Sequence, residues 1–514
     1  MVARTRHIVI VGGGTAGWLT AGLIAAKHRA RIPHDLTVTL VESPTTPILG
    51  VGEGTWPTLR STLARIGVSE TDFFRECDAA FKQGALFARW TTGAADDAYY
   101  HPLMLPQHFS KLNLVPHWLA QQEASSFCDA VCPQGRLCDD GLAPKTIATP
   151  EYDGVANYAY HLDAGKFAPF LQRHCCEKLG VCHVLADVRE VRLHEHGDIR
   201  AIDTEQAGEI AGDLFIDCTG FRSLLLGDAM GVGFKDCSDI LFCDTALAVQ
   251  MPYPDEHSPI ATHTISTAQS AGWIWDIGLP TRRGIGHVYS SRHQSQDAAE
   301  RELRAYLGPG GADLPIRQIA IRSGHRETFW KRNCVAVGVA AGFLEPLEAS
   351  AIVLIELSAK MIAEQLPACR EVMDVIASRF NETTHYRWGR IIDFLKLHYV
   401  LSKREDSEFW RDNRLPETVP DRLRDLMLLW RYQSPWFHDE FDRVEEVFPP
   451  ASYQYVLYGM GFETEVEPAL LVSDRRLADQ AMRENAVQTQ RMRQGLPRHR
   501  DLIDRIHQHG LQPV

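Results

Sequence analysis

One stretch constrains this chain more than any other: His7-Ile8-Val9-Ile10-Val11-Gly12-Gly13-Gly14-Thr15-Ala16-Gly17-Trp18-Leu19. A β-branched run stops at three glycines, and a run of small residues follows, so the sequence predicts a strand, a tight turn and a helix. Gly12, Gly14 and Gly17 fall on G-x-G-x-x-G. The first glycine of that motif permits the turn, the second lets backbone approach a pyrophosphate, and the third lets the helix pack close on the strand. Thr15 and Ala16 then stand in the first helical turn, where unpaired N–H groups and a partial positive charge face the phosphates. A second apolar strand over 36–41 ends at Glu42, near the spacing at which an acidic residue takes ribose hydroxyls. The pattern predicts an adenine-dinucleotide site of Rossmann type.

The 514 residues leave room for two or three domains and a large core. A net charge of -13 excludes the basic face of a nucleic-acid binder and adhesion to an anionic membrane. No apolar run reaches membrane-spanning length, and residues 1–6 lead straight into the first strand, so neither a span nor a signal peptide is expected. The expected location is cytoplasmic. Twelve cysteines are scattered, with Cys128, Cys132 and Cys138 as one loose cluster and Cys175, Cys176 and Cys182 as another. Neither has the paired C-x-x-C spacing of a zinc site, so free thiols and no metal are expected.

Further along, Gly52-Glu53-Gly54-Thr55-Trp56-Pro57 closes a Gly- and Pro-rich loop of the kind that approaches a ligand. Ser69 followed by Asp72 marks a helix start, and the pattern predicts a helix to about residue 82, then a strand over 84–90. Residues 95–160 carry six prolines and read as an excursion over a pocket. A helix is expected over 164–178, strands over 181–185 and 188–191, and an apolar strand in Asp213-Leu214-Phe215-Ile216-Asp217-Cys218-Thr219-Gly220-Phe221. Residues 240–290 read as antiparallel strands, and 334–343 returns to the first sheet before a helix over 350–364. From 371 the pattern is helical, with Trp388, Trp410, Trp430 and Trp436 at core spacings. The expected architecture is α/β and two-lobed: a discontinuous dinucleotide-binding domain over 1–370 with an inserted antiparallel sheet, and a mainly helical substrate lobe over 371–514. No second glycine turn has the strand–turn–helix context for a nicotinamide, so electrons must come from another protein.

Several motifs together resemble the flavin-dependent halogenases of the tryptophan halogenase family. They are Gly12 to Gly17, Phe81-Lys82, Asp217-Cys218-Thr219-Gly220-Phe221, Gly272-Trp273-Ile274-Trp275-Asp276-Ile277 and Gly342-Phe343-Leu344-Glu345-Pro346-Leu347-Glu348. The resemblance covers nearly the whole length. It implies FAD, supplied as FADH2 by a separate reductase, with O2 and a chloride or bromide ion that is oxidised to hypohalous acid. It assigns Lys82 to take up that oxidant and Glu348 to stabilise or orient the reacting species. A lysine suits the task because burial lowers its pKa and makes the neutral amine accessible. The resemblance further implies cofactor contacts at Val188, Val339 and Ile352, and halide held by backbone N–H groups of Ser350 and Ala351. Two departures stand out: Glu348-Ala349-Ser350-Ala351 replaces the usual Glu-Ser-Thr-Gly or Glu-Ser-Thr-Ser, and Gly278 replaces a proline. Trp273 and Trp275 fall on one strand face, beside the flavin path or in the core.

The tryptophan enzymes grip their amino acid with tyrosines, a glutamate and a tryptophan. Here Phe437 and His438 align with the paired tyrosines, Val444 with the glutamate, and Pro449, after Phe448, with the tryptophan; Leu103 stands for a stacking phenylalanine. The expected substrate is therefore an electron-rich aromatic such as a neutral indole. Two rivals stay open, an aromatic-hydroxylating flavin monooxygenase and a non-catalytic dinucleotide-fold binding protein. A monomer or homodimer is expected.

Overall fold

The computed structural model describes residues 4–46, 52–121, 125–436 and 446–513, with backbone alone for Pro468, Leu470 and Ser473. Phe437, His438 and Val444 lie outside the described residues.

The strand His7–Val11 is buried after its first residue because its β-branched side chains lie between the layers of an α/β sheet. It pairs in parallel with Thr37–Glu42 on one side and Leu214–Asp217 on the other. Cys182–Leu185 and Cys334–Ala336 extend the parallel sheet, and Trp330–Lys331 closes it antiparallel. The helix Thr15–Lys27 packs on Ala164–Leu179 and Ser350–Glu364. Gly12 has φ +120°, and a Cβ there would stand 2.2 Å from the Cys218 carbonyl oxygen, so only glycine lets the two strand ends meet.

A seven-stranded sheet carries the order Arg317–Ala320, Thr245–Pro252, Arg282–Tyr289, Gly272–Gly278, Thr264–Ala268, Gly84–Ala88, Ala98–Pro102. It is antiparallel except where Thr264–Ala268 runs parallel to Gly84–Ala88. This is the expected inserted sheet, and with it the chain has the expected two-lobed α/β architecture. A small third sheet joins Gly52–Gly54, Ala159–Asp163 and Ala80–Lys82.

That small sheet corrects the sequence reading of 70–82. The helix starts at Glu70 with the Ser69 hydroxyl accepting from the Asp72 N–H, but it ends at Glu76. Asp78 turns the chain with a left-handed backbone, φ 47°, and Ala80–Lys82 becomes a strand. Strand pairing with Ala159–Asp163 overrides helical pattern there, setting Lys82 opposite Ala159. Residues 95–160 are also more ordered than expected, since Ala98–Pro102 forms an edge strand and three short helices follow.

Beyond residue 370 the described elements are helical, led by the long helix Arg370–Leu401. Pro450–Gly459 packs on strand Ala98–Pro102, Arg475–Gly495 on the short helices Phe127–Val131 and Gln134–Asp139, and His499–His509 on Glu70–Glu76. Trp388, Trp410 and Trp430 are buried, and the Trp436 indole donates to the Phe109 carbonyl. No helix among the described residues is long and apolar enough to cross a membrane.

Candidate active site

A cavity of about 780 Å³ opens where the glycine turn, the end of strand Thr37–Glu42 and the start of helix Ser350–Glu364 converge. Its walls include Gly12, Gly14, Thr15, Ala16, Glu42, Val188, Val339 and Ile352. This is the crevice beyond the carboxyl ends of a parallel sheet, where such folds take dinucleotides. The residues present fit one: a Cβ on Gly14 would meet nothing within 4 Å, so backbone there is open to a pyrophosphate. Glu42 is held by His183, whose Nε2 lies 2.9 Å from Oε2. Gly17 stands off the cavity; a Cβ there would lie 1.9 Å from the Gly12 carbonyl oxygen, so its part is close packing of helix on turn.

Lys82, Glu348 and Ala351 line the same cavity, as do Glu53, Gly54, Thr264 and Trp275. Lys82 is only 5% exposed, and its Nζ donates to the Thr55 carbonyl at 3.2 Å. Burial pushes its ammonium down to about 8, with Glu348 pulling the other way. Glu348 sits just before the helix and is 6% exposed. Burial alone would push its carboxyl up, but His101 and His398 beside it hold it well below the usual range. His101 Nδ1 lies 3.0 and 3.1 Å from its two oxygens, and His398 Nε2 lies 3.0 Å from Oε1. The Trp56 indole donates to the Glu348 carbonyl at 2.8 Å, fixing the backbone as well.

The helix Ser350–Glu364 begins without a side-chain cap, because Ala349 enters it in the left-handed region at φ 54° and ψ 41°. Its first N–H groups have no intrahelical partner and face an anion favourably. Ala351 borders the cavity, whereas the Ser350 side chain is buried away from it. Trp275 borders the cavity, but Trp273 is wholly buried against Trp90, with ring centroids 6.4 Å apart.

Beside Glu348 the described residues are aromatic. Phe448 stacks on Phe394 at 3.8 Å between centroids and meets Trp56 at 4.8 Å. Leu103 stands apart from the cavity, its N–H donating to Gln134. Among the described residues the nearby acids are engaged: Glu446 accepts from the Tyr386 hydroxyl, and Asp393 pairs with Arg390 and Arg422. Asp439 and Glu440, the other acids that could take over an ammonium, lie outside the described residues. The sequence reading missed His101, His398, Glu53 and Ser452, whose hydroxyl lies 2.9 Å from His101 Nε2. Their only signal is position: Glu53 lies within the Gly-rich loop, and His101 two residues before Leu103. The Glu53 carboxyl is pushed up to about 7 by burial, with Asp163 adding to the effect.

The profile of the tryptophan halogenase family matches residues 7–474. The tryptophan 6-halogenase of Streptomyces toxytricini is 34% identical over 494 residues, covering 92% of each chain. Among solved structures, a tryptophan halogenase from Shewanella frigidimarina NCIMB 400 superposes with a TM-score of 0.96 at 48% identity, covering 99% of both chains. A flavin-dependent halogenase from Brevundimonas sp. BAL3 superposes with a TM-score of 0.86 at 35% identity, covering 98% of this chain and 99% of its own.

Proposed function

The chain belongs to the tryptophan halogenase family, and from that footing we propose that it halogenates a neutral indole or phenol in preference to free tryptophan. It is a flavin-dependent halogenase of aromatic compounds, working with a separate flavin reductase. Reduced FAD with O2 supplies the two-electron oxidation that turns chloride or bromide into hypohalous acid. Gly12 to Ala16 would hold the pyrophosphate and Glu42 the ribose, with Val188, Val339 and Ile352 as apolar wall. Halide would rest on the N–H groups of Ser350 and Ala351. Residues 1–370 carry this chemistry, and 371–514 supply the far wall of the substrate site.

The single observation behind the reading is the burial of Lys82 and Glu348 together on the cavity wall. Lys82, neutral for part of the time near its lowered pKa, receives the oxidised halogen at Nζ and keeps it from water and thiols. Glu348 faces the ring that is attacked and takes its proton.

Specificity rests on the missing grip. With Val444 aligned to the ammonium-binding glutamate, tryptophan would lose an ion pair worth about 1.5–3 kcal/mol, roughly ten- to hundredfold in binding. Glu446 and Asp393 already have partners. A competition between equal indole and tryptophan, with reductase, FAD and bromide, should give mostly halogenated indole by mass spectrometry. Tryptophan winning would overturn the preference; a hydroxylated, halide-independent product would favour the monooxygenase.

A further inference from the structure

The turn holds a glycine that the dinucleotide motif does not require. Gly12, Gly14 and Gly17 account for G-x-G-x-x-G, yet Gly13 is glycine too. A Cβ on Gly13 would stand 2.1 Å from Cδ of Glu42 and 2.5 Å from its Oε1. The Glu42 carboxyl therefore lies down on the turn, over backbone that borders the cavity. A carboxylate at the end of a flexible side chain keeps one place only when something holds it.

The register of the parallel sheet supplies that hold. Cys182–Leu185 pairs with Thr37–Glu42 so that His183 stands opposite Leu40. Glu42, two residues beyond Leu40, points to the same face of the sheet and is a diagonal neighbour of His183. His183 Nε2 donates to Glu42 Oε2 at 2.9 Å, since a carboxylate oxygen accepts. Across the ring, the Gln172 side-chain amide lies 3.1 Å from Nδ1. Trp18 meets the imidazole edge to face, with centroids 5.1 Å apart. Gln172 belongs to the helix Ala164–Leu179 and Trp18 to Thr15–Lys27, two helices packed on each other. Sheet and helices thus fix the imidazole together, and its bond to Oε2 leaves Oε1 above the turn.

We propose that His183 is a positioning residue for the dinucleotide, taking Oε2 of Glu42 so that Oε1 is presented to the hydroxyls of the adenosine ribose. The inference rests on the reading of Glu42 as the ribose carboxylate. A carboxylate free to swing would lose that freedom each time FAD binds; held by His183, it has lost it on folding, and FAD binds more tightly. The gain falls on the ribose hydroxyls alone. Gly13 belongs to the same device, because any side chain there would push the carboxyl off the turn.

The test reads binding and needs no turnover. Oxidised FAD and an analogue whose adenosine ribose lacks both hydroxyls are titrated into the protein, and flavin fluorescence gives two dissociation constants. Wild type should bind FAD about thirtyfold more tightly than the analogue, and His183→Leu only about threefold more tightly. His183→Gln, which keeps an N–H donor, should retain most of the wild-type ratio. A variant that merely loosened the fold would weaken both ligands and leave the ratio unchanged. Gly13→Ala reaches the same carboxyl without touching His183. Its added Cβ meets the far end of Glu42, so the chain can fold by moving that group, and the ratio should fall as in His183→Leu. A wild-type ratio in His183→Leu overturns the proposal; should that variant fail to fold, an unchanged ratio in Gly13→Ala does so. Added to Glu42→Gln, His183→Leu should lower the ratio no further, because the two act through one contact; additive losses would also overturn it. Glu42→Gln separates the two readings. A wild-type ratio in that variant removes Glu42 from the ribose and the proposal with it, whereas a low ratio there beside a full one in His183→Leu rejects His183 alone.

Discussion

The role proposed for Lys82 would come at a cost in stability. Its folded pKa of about 8 lies below the ordinary 10.5, so between those values the unfolded chain binds more protons than the folded one. Stability contributed by this group therefore rises as pH climbs from about 8 to 10.5, and the penalty is complete below pH 8. Lys82→Met keeps the volume and removes the buried charge, leaving the Thr55 carbonyl without its donor. It should raise the unfolding free energy by about 1–2 kcal/mol at pH 7, read by urea denaturation, while abolishing halogenated product. A stability difference from wild type that does not change as pH climbs from about 8 to 10.5 would show that the Lys82 ammonium carries no burial penalty. Lys82→Arg should also be inactive although FAD reoxidation continues, since guanidinium does not become a nucleophilic amine. Product from the arginine variant would remove Lys82 from the halogen path. Lys82 and Glu348 were legible because each lies in a motif. His398 was not, because a histidine within an apolar helix reads as core until the structure sets it against a carboxylate.

At the scale of elements, the start of helix Ser350–Glu364 carries the departure from the family pattern. Ala349 has a Cβ in a left-handed conformation that costs an L-residue about 1–2 kcal/mol. Ala349→Gly should be neutral or stabilising by up to about 1 kcal/mol and leave the halide KM unchanged. Ala349→Val, β-branched at positive φ, should lower the Tm and raise the halide KM, because the turn would swing the free N–H groups away. Equal halide KM for valine and glycine variants would show that halide sits elsewhere. This helix was read correctly to both ends, since apolar periodicity and tertiary packing agree there. The helix expected to reach residue 82 was not. Its pattern stays helical, but Asp78 and the pairing with Ala159–Asp163 make the last residues a strand, and only a partner distant in sequence decides that. The same applies to Ala98–Pro102, whose strand character comes from the Gly84–Ala88 edge it covers.

Across the whole molecule, one cavity runs from the glycine turn to Lys82 and Glu348, so the proposed cofactor site and the proposed halogen site share a wall. That placement makes the supply of electrons a separate matter from their use. Hydride transfer from a nicotinamide needs a second binding surface beside the isoalloxazine, yet the sequence offers one glycine turn in strand–turn–helix context. Among the other glycine clusters, Gly231 and Gly233 precede the short edge strand Phe234–Asp236, and Gly308 to Gly311 follow a helix. Gly52 and Gly54 lie within a strand rather than in the turn that opens a helix. The purified protein with NADH, FAD, bromide and an indole should therefore give no product. Adding a flavin reductase, or FADH2 reduced chemically beforehand, should start halogenation at a rate set by the supply of reduced flavin. The distinguishing measurement is a single-turnover run with pre-reduced FAD and no NADH. Bromoindole formed there, together with silence under NADH and FAD alone, fits a chain that receives its electrons ready-made. Turnover with NADH alone, in protein freed of contaminating reductase, would place a nicotinamide site within these 514 residues.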